Sequence, residues 1–572
     1  MLVCLIFKDL LLERAVGMSE VCVELVGKLV GEMLGLSKEE LSPSDNLISL
    51  GLGSLDIMRI AGLLTKNGCN VTFSELVSNP CMASWVNFAR ERSARSSSNG
   101  SPLLGSANYS KGDPFPITSV QHAYMVGRRD GQELGGTACH AYMEFECGSL
   151  DAAKLERAVE LLILRHPMLR ARFSDDGTAR IEDKVTWKGL TTYRVEGAGN
   201  PDSRIEGIRQ ELSHLRFDIE QDDLIDVRLT VVSPKRTIMH INVDLLAADV
   251  LSIQVLLEDL AHLYDGTDLA PIEIDFMEYA RRTGIGEDAR NEDREYWLNR
   301  IDNMPGGPSL PLKAPMESVK RSQFTRMEYL IDSKSWKNFT EKGRQIGVTQ
   351  SMGIAAVYAK ALSRWSEDKK FLLNLPLFNR KPIHPDVDKI VSDFTSLILL
   401  EADCANAISL LELASQMQGR FQQDVAHSSF GAVEVLRELS HRCPNDPKKA
   451  PVVFASNIGT QFISNKVEDV FGPLSKMLAE TPQVLLDHQI YDHKNGLLLA
   501  WDYVSELLDD KIAKQMFEAY CTAVRFYCEN DWSEPFPDLL PPSQRAARAE
   551  ANSEGADLGG GTLHGRFFAR AQ

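Results

Sequence analysis

Asp244-Leu245-Leu246-Ala247-Ala248-Asp249-Val250-Leu251-Ser252 is the stretch on which the reading of this chain turns. It follows an apolar, strand-like run at 237–244 and leads into apolar positions at helical spacing over 252–264, so it joins a strand to a helix. Asp244 and Asp249 flank four apolar residues, and a buried carboxylate without a partner is costly. Each aspartate therefore needs one. For Asp249 the candidates are Arg165 and Arg170, and a structural ion pair is favoured over direct proton transfer. His240 falls in the preceding strand and reads as a strand histidine. The alternation continues outward. Helices are expected at 151–165, 346–365 and 509–528, and strands at 226–232, 371–377, 396–401, 451–455 and 496–501. From Phe115 to about Trp532 the pattern is mixed α/β, over a region too long for one lobe.

Upstream the pattern changes. Val21, Leu25, Leu29, Val30, Met33 and Leu34 recur at helical spacing and Gly35 is a stop. A second helix is expected over Ser54–Thr65, with Leu55, Met58, Ile60 and Leu63 inward. A short segment at Phe73–Leu76 and a helix through Trp85 and Phe88 complete a small all-helical unit, 19–92. Residues 1–18 read as an extension ahead of it. Residues 93–112 are rich in Ser, Gly and Asn and make a flexible tether. Residues 533–562, Pro-rich and then Ala/Gly-rich, read as a second linker. Ser54 stands where a Gly-containing loop (Gly51-Leu52-Gly53) becomes a helix. By itself it is an ordinary helix N-cap, or a site of covalent modification.

Composition narrows the function classes. The 572 residues carry a formal net charge of −18, with 44% hydrophobic and 25% charged residues. No Lys/Arg run offsets the acidity, so a phosphate-tracking, nucleic-acid-binding surface is not expected. The ten cysteines include no CxxC pair and no Cys/His cluster with zinc spacing, so reduced thiols, a cytoplasmic location and no metal site are expected. No apolar run is long enough to span a bilayer.

Several blocks, in order, resemble the heterocyclization domains of nonribosomal peptide synthetases. They are Phe115-Pro116-Ile117-Thr118-Ser119-Val120-Gln121-His122-Ala123-Tyr124 with Gly127-Arg128; Arg165-His166-Pro167-Met168-Leu169-Arg170; the DxxxxDxxS of Asp244, Asp249 and Ser252; Trp365-Ser366; Asp393-Phe394-Thr395; Pro451-Val452-Val453-Phe454-Ala455-Ser456-Asn457; and Thr481-Pro482-Gln483-Val484-Leu485-Leu486-Asp487-His488-Gln489. The resemblance covers nearly all of 113–535 and extends to siderophore synthetases of the pyochelin and yersiniabactin type. It implies a multidomain chain: a small four-helix aryl or peptidyl carrier, then a two-lobed α/β domain like chloramphenicol acetyltransferase, with lobes at about 113–285 and 286–535. Residues 536–572, with Leu563-His564-Gly565-Arg566-Phe567-Phe568, would lead into an adenylation domain.

The resemblance also implies chemistry. Ser54 would carry covalent 4'-phosphopantetheine, although Gly53 replaces the Asp or His that usually precedes the serine. An acyl or aryl thioester on that arm would be condensed with carrier-bound Cys, Ser or Thr and cyclodehydrated to a thiazoline or oxazoline. Ordinary condensation domains use HHxxxDG; aligned on Asp244 and Asp249, the second His falls on Leu245, which disfavours acyl transfer by histidine. Asp487 becomes the leading candidate for proton transfer, with Gln489 on the same strand face. In related domains a Thr assists this aspartate; here that position is Ala455, and the adjacent Ser456, which would point to the other face, joins Asp244 and Asp249 as the remaining members of the candidate catalytic set. Implied partners are a phosphopantetheinyl transferase, a stand-alone salicylate- or dihydroxybenzoate-activating ligase, and downstream adenylation and peptidyl carrier domains. An amide-forming domain without cyclodehydration, and a non-catalytic carrier and docking module, are the competing readings.

Overall fold

The computed structural model describes residues 23–34, 36–37, 40–66, 69, 71, 73–95, 112–195, 200–283, 287–378, 380–381, 383–443 and 448–553. The front unit is helical: 23–34, Ser54–Lys66, Phe73–Ser78 and Met82–Arg95. Val26, Val30, Ile57, Ile60, Leu64, Leu76 and Trp85 are buried at its centre, and the Trp85 indole N–H donates to the Leu76 carbonyl at 2.9 Å. On the second helix the inward face runs through Ile57, Ile60, Ala61 and Leu64, with Leu63 half-buried. This is one helical stripe at i, i+3, i+4, i+7. The side chains of Leu55 and Met58 lie outside the described ones.

Two sheets follow. The first lobe holds β1 (Phe115–Pro116), β2 (His140–Cys147), β3 (Ala171–Ser174), β4 (Thr178–Ile181), β5 (Thr191–Arg194), β6 (Ile225–Ser233) and β7 (Arg236–Asp244). The second holds β8 (Phe324–Asp332), β9 (Lys370–Phe378), β10 (Thr395–Asp403), β11 (Val452–Gln461), β13 (Leu486–His493) and β14 (Gly496–Val504). Between β11 and β13, the strand β12 (Leu474–Glu480) crosses to the first lobe. The sheet orders are β12-β2-β7-β6-β5 and β10-β9-β11-β13-β14-β8, with a small β1-β4-β3 sheet beside the first. β12 pairs antiparallel with β2, so a strand from late in the chain ties the lobes together.

The 244–252 stretch is a strand-to-helix junction: β7 ends at Asp244 and a helix runs Val250–Tyr264, capped by the Asp249 side chain on Ser252 N at 2.7 Å. The expected helices at 151–165, 346–365 and 509–528 are observed as Ala152–Arg165, Gln350–Ser363 and Asp510–Glu529. Two readings are revised. Pro542–Ser553, expected as linker, is helical; Pro starts the segment and Gln, Arg, Ala and Glu favour helix. Seven described cysteines are free thiols, whereas Cys69 is disulfide-bonded. Among the described residues no helix is long and apolar enough to cross a membrane.

Candidate active site

β13 sits between β11 and β14 at the centre of the second sheet, and its alternation separates two environments. His488 faces a helical layer: its imidazole is hydrogen-bonded to the Tyr520 hydroxyl at 2.7 Å and packs on Tyr358. Asp487, Gln489 and Tyr491 face a cavity of about 530 Å³. The first lobe contributes Tyr124, Leu245, Ala248 and Asp249 to its wall; the second contributes Asn374, Asp393, Thr395, Ala455 and Asn457. Leu245, where an ordinary condensation domain would place its second histidine, lines the cavity, and no described lining residue is a histidine.

Asp487 is 5% exposed. Its setting comes from strand register. Arg326 on β8 lies opposite Asp502 on β14, and Asp502 lies opposite Asp487 on β13. The Arg326 guanidinium donates to both Asp502 oxygens, at 2.7 and 2.5 Å, and to Gln489 Oε1 at 2.9 Å. The Tyr491 hydroxyl donates to the same Oε1. With its oxygen occupied, the Gln489 amide turns its NH₂ toward Asp487 Oδ2, at 2.6 Å. Asp487 Oδ1 has no protein partner. Burial first, and then the Asp502 charge, push the Asp487 carboxyl up to about 7, against the Gln489 hydrogen bond and the Arg326 charge. A carboxyl poised there can give or take a proton near neutral pH.

Asp244 and Asp249 do different work. Asp244 is fully buried, receives a hydrogen bond from Arg128 at 2.6 Å and accepts from Leu246 N at 3.1 Å. Arg128 also donates to the Phe217 carbonyl. The Asp244 carboxylate is thus a structural link between β7 and the helix Ser119–Arg128. That helix closes on the 481–483 loop because Gly127 lacks a side chain: a Cβ there would stand 2.6 Å from Pro482 Cβ. Asp249 pairs with Arg380 at 2.8 Å, and neither Arg165 nor Arg170 is its partner. Arg165 binds Asp259, and Arg170 donates to the Glu182 and Ile163 carbonyls. Arg380 reaches across from the second lobe, a connection that only folding makes. Ser456 falls away from the chemistry. Its hydroxyl meets the Ser351 hydroxyl at 2.8 Å, on the strand face opposite Ala455, so its assignment to the catalytic set is revised.

At the carrier, Gly53 rather than Ser54 stands at the cap. Ile57 N donates to the Gly53 carbonyl at 3.1 Å, and the Asp56 carboxylate accepts from Gly53 N at 2.9 Å. Ser54 is therefore the first helical residue, in the turn where backbone N–H groups lack helical acceptors. That is where a phosphodiester is favoured, so the position fits a phosphopantetheine arm. The carrier loop abuts the second lobe: Arg344 donates to the Leu50 carbonyl at 3.3 Å.

Sequence reasoning singled out Asp487, Gln489, Asp244, Asp249, Ser456 and Ser54; the structure brings Asp487, Gln489 and Asp249 to one cavity. It missed Arg326 and Asp502, which meet only through strand pairing. Tyr491 was within reach, two residues beyond Gln489 on the same face.

Comparison with known proteins follows the same lines. Residues 115–530 match the Condensation domain family and 24–89 the Phosphopantetheine attachment site family, a domain that carries 4'-phosphopantetheine covalently. Phenyloxazoline synthase MbtB of Mycolicibacterium paratuberculosis is 35% identical over 557 residues, 95% of this chain and 47% of that protein. Pyochelin synthetase PchE of Pseudomonas aeruginosa is 34% identical over 556 residues, 96% of this chain and 38% of that protein. The chain thus spans less than half the length of either. The EpoB cyclization-docking bidomain from Sorangium cellulosum superposes with a TM-score of 0.67 at 30% identity, over 74% of this chain and 87% of that structure. The chain belongs to the condensation-domain family of nonribosomal peptide synthetases, in its cyclization branch, with a phosphopantetheine attachment domain ahead of it.

Proposed function

We propose that this chain condenses an aryl or acyl thioester with a carrier-bound Cys, Ser or Thr and cyclodehydrates the amide to a thiazoline or oxazoline, within siderophore-type peptide synthesis in the cytoplasm. The observation that carries the reading is Asp487: a buried carboxyl with one free oxygen, its pKa raised to about 7, at a cavity whose described lining residues include no histidine. The phosphopantetheine arm on Ser54 supplies the thioester. The chain's own part is to hold two tethered substrates together in one cavity, which replaces a bimolecular encounter by an oriented one, and to move protons during ring closure and water loss. Asp487 Oδ1 is the atom that does so, and Gln489, fixed by Arg326 and Tyr491, orients it. Related proteins that make a phenyloxazoline or pyochelin favour an aryl group, loaded by a separate salicylate- or dihydroxybenzoate-activating ligase after a phosphopantetheinyl transferase has primed Ser54. Downstream adenylation and peptidyl carrier domains would present the amino acid.

One assay decides. The chain is loaded with salicyl-pantetheine, given a cysteinyl carrier, and the product is weighed by mass spectrometry. Amide minus one water is expected. Amide alone would leave an amide-forming domain, and no transfer would leave a carrier and docking module. Ser54→Ala should accept no pantetheine arm; a variant that still gains one removes the carrier assignment.

A further inference from the structure

The cavity is lined by a further buried carboxyl, in the loop before β10, that the account above does not use. Asp393 is 1% exposed and belongs to the cavity lining. Its Oδ1 accepts the Thr395 backbone N–H at 3.0 Å. Its Oδ2 is buried without a protein partner. The loop that bears it is pinned to the first lobe. Ser392 O accepts from Asp249 N at 3.1 Å and from the Ser252 hydroxyl at 2.7 Å, and Arg380, bound to Asp249, lies 4.3 Å from the Phe394 ring. A satisfied oxygen and a bare one on a rigid loop, facing a cavity, form a proton site rather than a structural bridge.

Resting on the cyclization reading, we infer that Asp393 is a second catalytic carboxyl, the acid that expels water while Asp487 accepts the proton of the ring nitrogen. Ring closure leaves one carbon bearing a hydroxyl, the ring sulfur or oxygen, and the ring nitrogen. The Asp393 carboxyl gives its proton to the hydroxyl, the C–O bond breaks and water departs. The nitrogen lone pair forms the C=N bond as the N–H proton passes to the Asp487 carboxylate. Proton return from Asp487 to Asp393 through water restores the pair, and no oxidant or metal enters the balance. The surroundings keep Asp393 protonated until use. Burial first, then the Asp249 charge, push it up to about 7, while Thr395 pulls the other way. Tyr124 feels both Asp393 and Asp487, and Cys139 feels Asp393; both are themselves held neutral by burial. Arg380 stands behind Asp249.

The test uses the full chain, primed and loaded with salicyl-pantetheine, with cysteinyl carrier. Asp393→Asn keeps size and the Oδ1 acceptor. It is expected to leave amide formation within about threefold of wild type and to slow water loss about 10²-fold or more, so that open amide accumulates. Wild-type dehydration should follow a bell centred near pH 7, with Asp487 ionising on the acid limb and Asp393 on the alkaline limb; the alkaline limb should vanish in Asp393→Asn and return, shifted, in Asp393→Glu. Dehydration by Asp393→Asn at the wild-type rate, or an equal loss of amide formation and water loss with no change of pH profile, would overturn the inference. If wild type itself yields only amide, the cyclization reading has failed and this inference goes with it; normal wild-type dehydration with an indifferent Asp393→Asn sinks the Asp393 role alone.

Discussion

Asp487 shows how a short strand segment sets a proton-transfer site. The carboxyl is raised because burial disfavours its charge, and Gln489 is oriented because its oxygen is already taken. Asp487→Asn is expected to slow water loss by about 10²–10⁴-fold while amide formation persists, read as the ratio of open to cyclised product by mass spectrometry. Stability should register the same shift. A carboxyl raised from 3.8 to about 7 on folding contributes stability that is fully present below the unfolded value and is lost as pH rises through 7. Asp487→Asn should therefore gain on wild type between pH 4 and pH 8, by on the order of 1–4 kcal/mol. Urea unfolding at the two pH values checks this, and a constant difference would contradict the raised carboxyl.

At the scale of elements, the DxxxxDxxS stretch turns out to be a latch. Asp249 caps the helix Val250–Tyr264 and, through Arg380, holds the loop before β10. Arg380→Ala leaves a buried aspartate unpaired and is expected to cost about 3–5 kcal/mol, measured by chemical denaturation, with Asp249→Asn/Arg380→Met together costing less than that. Both the strand–turn–helix character of this stretch and the need for a buried partner were legible from apolar period and charge. The partner's identity was not. Arg165 and Arg170 belong to the same lobe as Asp249, but each is consumed by other partners there, and Arg380 arrives from 131 residues away. Ser456 illustrates the reverse. A two-residue period assigns its hydroxyl to the face away from Ala455, and the Ser351 bond is what occupies it.

At the scale of the whole molecule, the carrier and the cyclization region meet where the Leu50 carbonyl accepts from Arg344, with Gly347 against Asn46 and Ser49. Arg344→Glu should leave phosphopantetheine loading unchanged and slow single-turnover transfer from the carrier about fivefold, as expected for one charged hydrogen bond of modest strength; quenched-flow mass spectrometry reads both. The chain's amino-acid order alone determined the small helical unit, the alternating α/β region and the aspartates of the signature, because apolar period and local caps act over a few residues. It also placed Asp487 and Gln489 on one face, because a strand's period is two. Only the tertiary structure decided which groups tune them. Arg326 and Asp502 come beside Asp487 and Gln489 through strand register, and Arg380 and Asp393 come to the signature aspartate through lobe packing; the pKa of a carboxyl follows from what surrounds it in space, not from its neighbours along the chain.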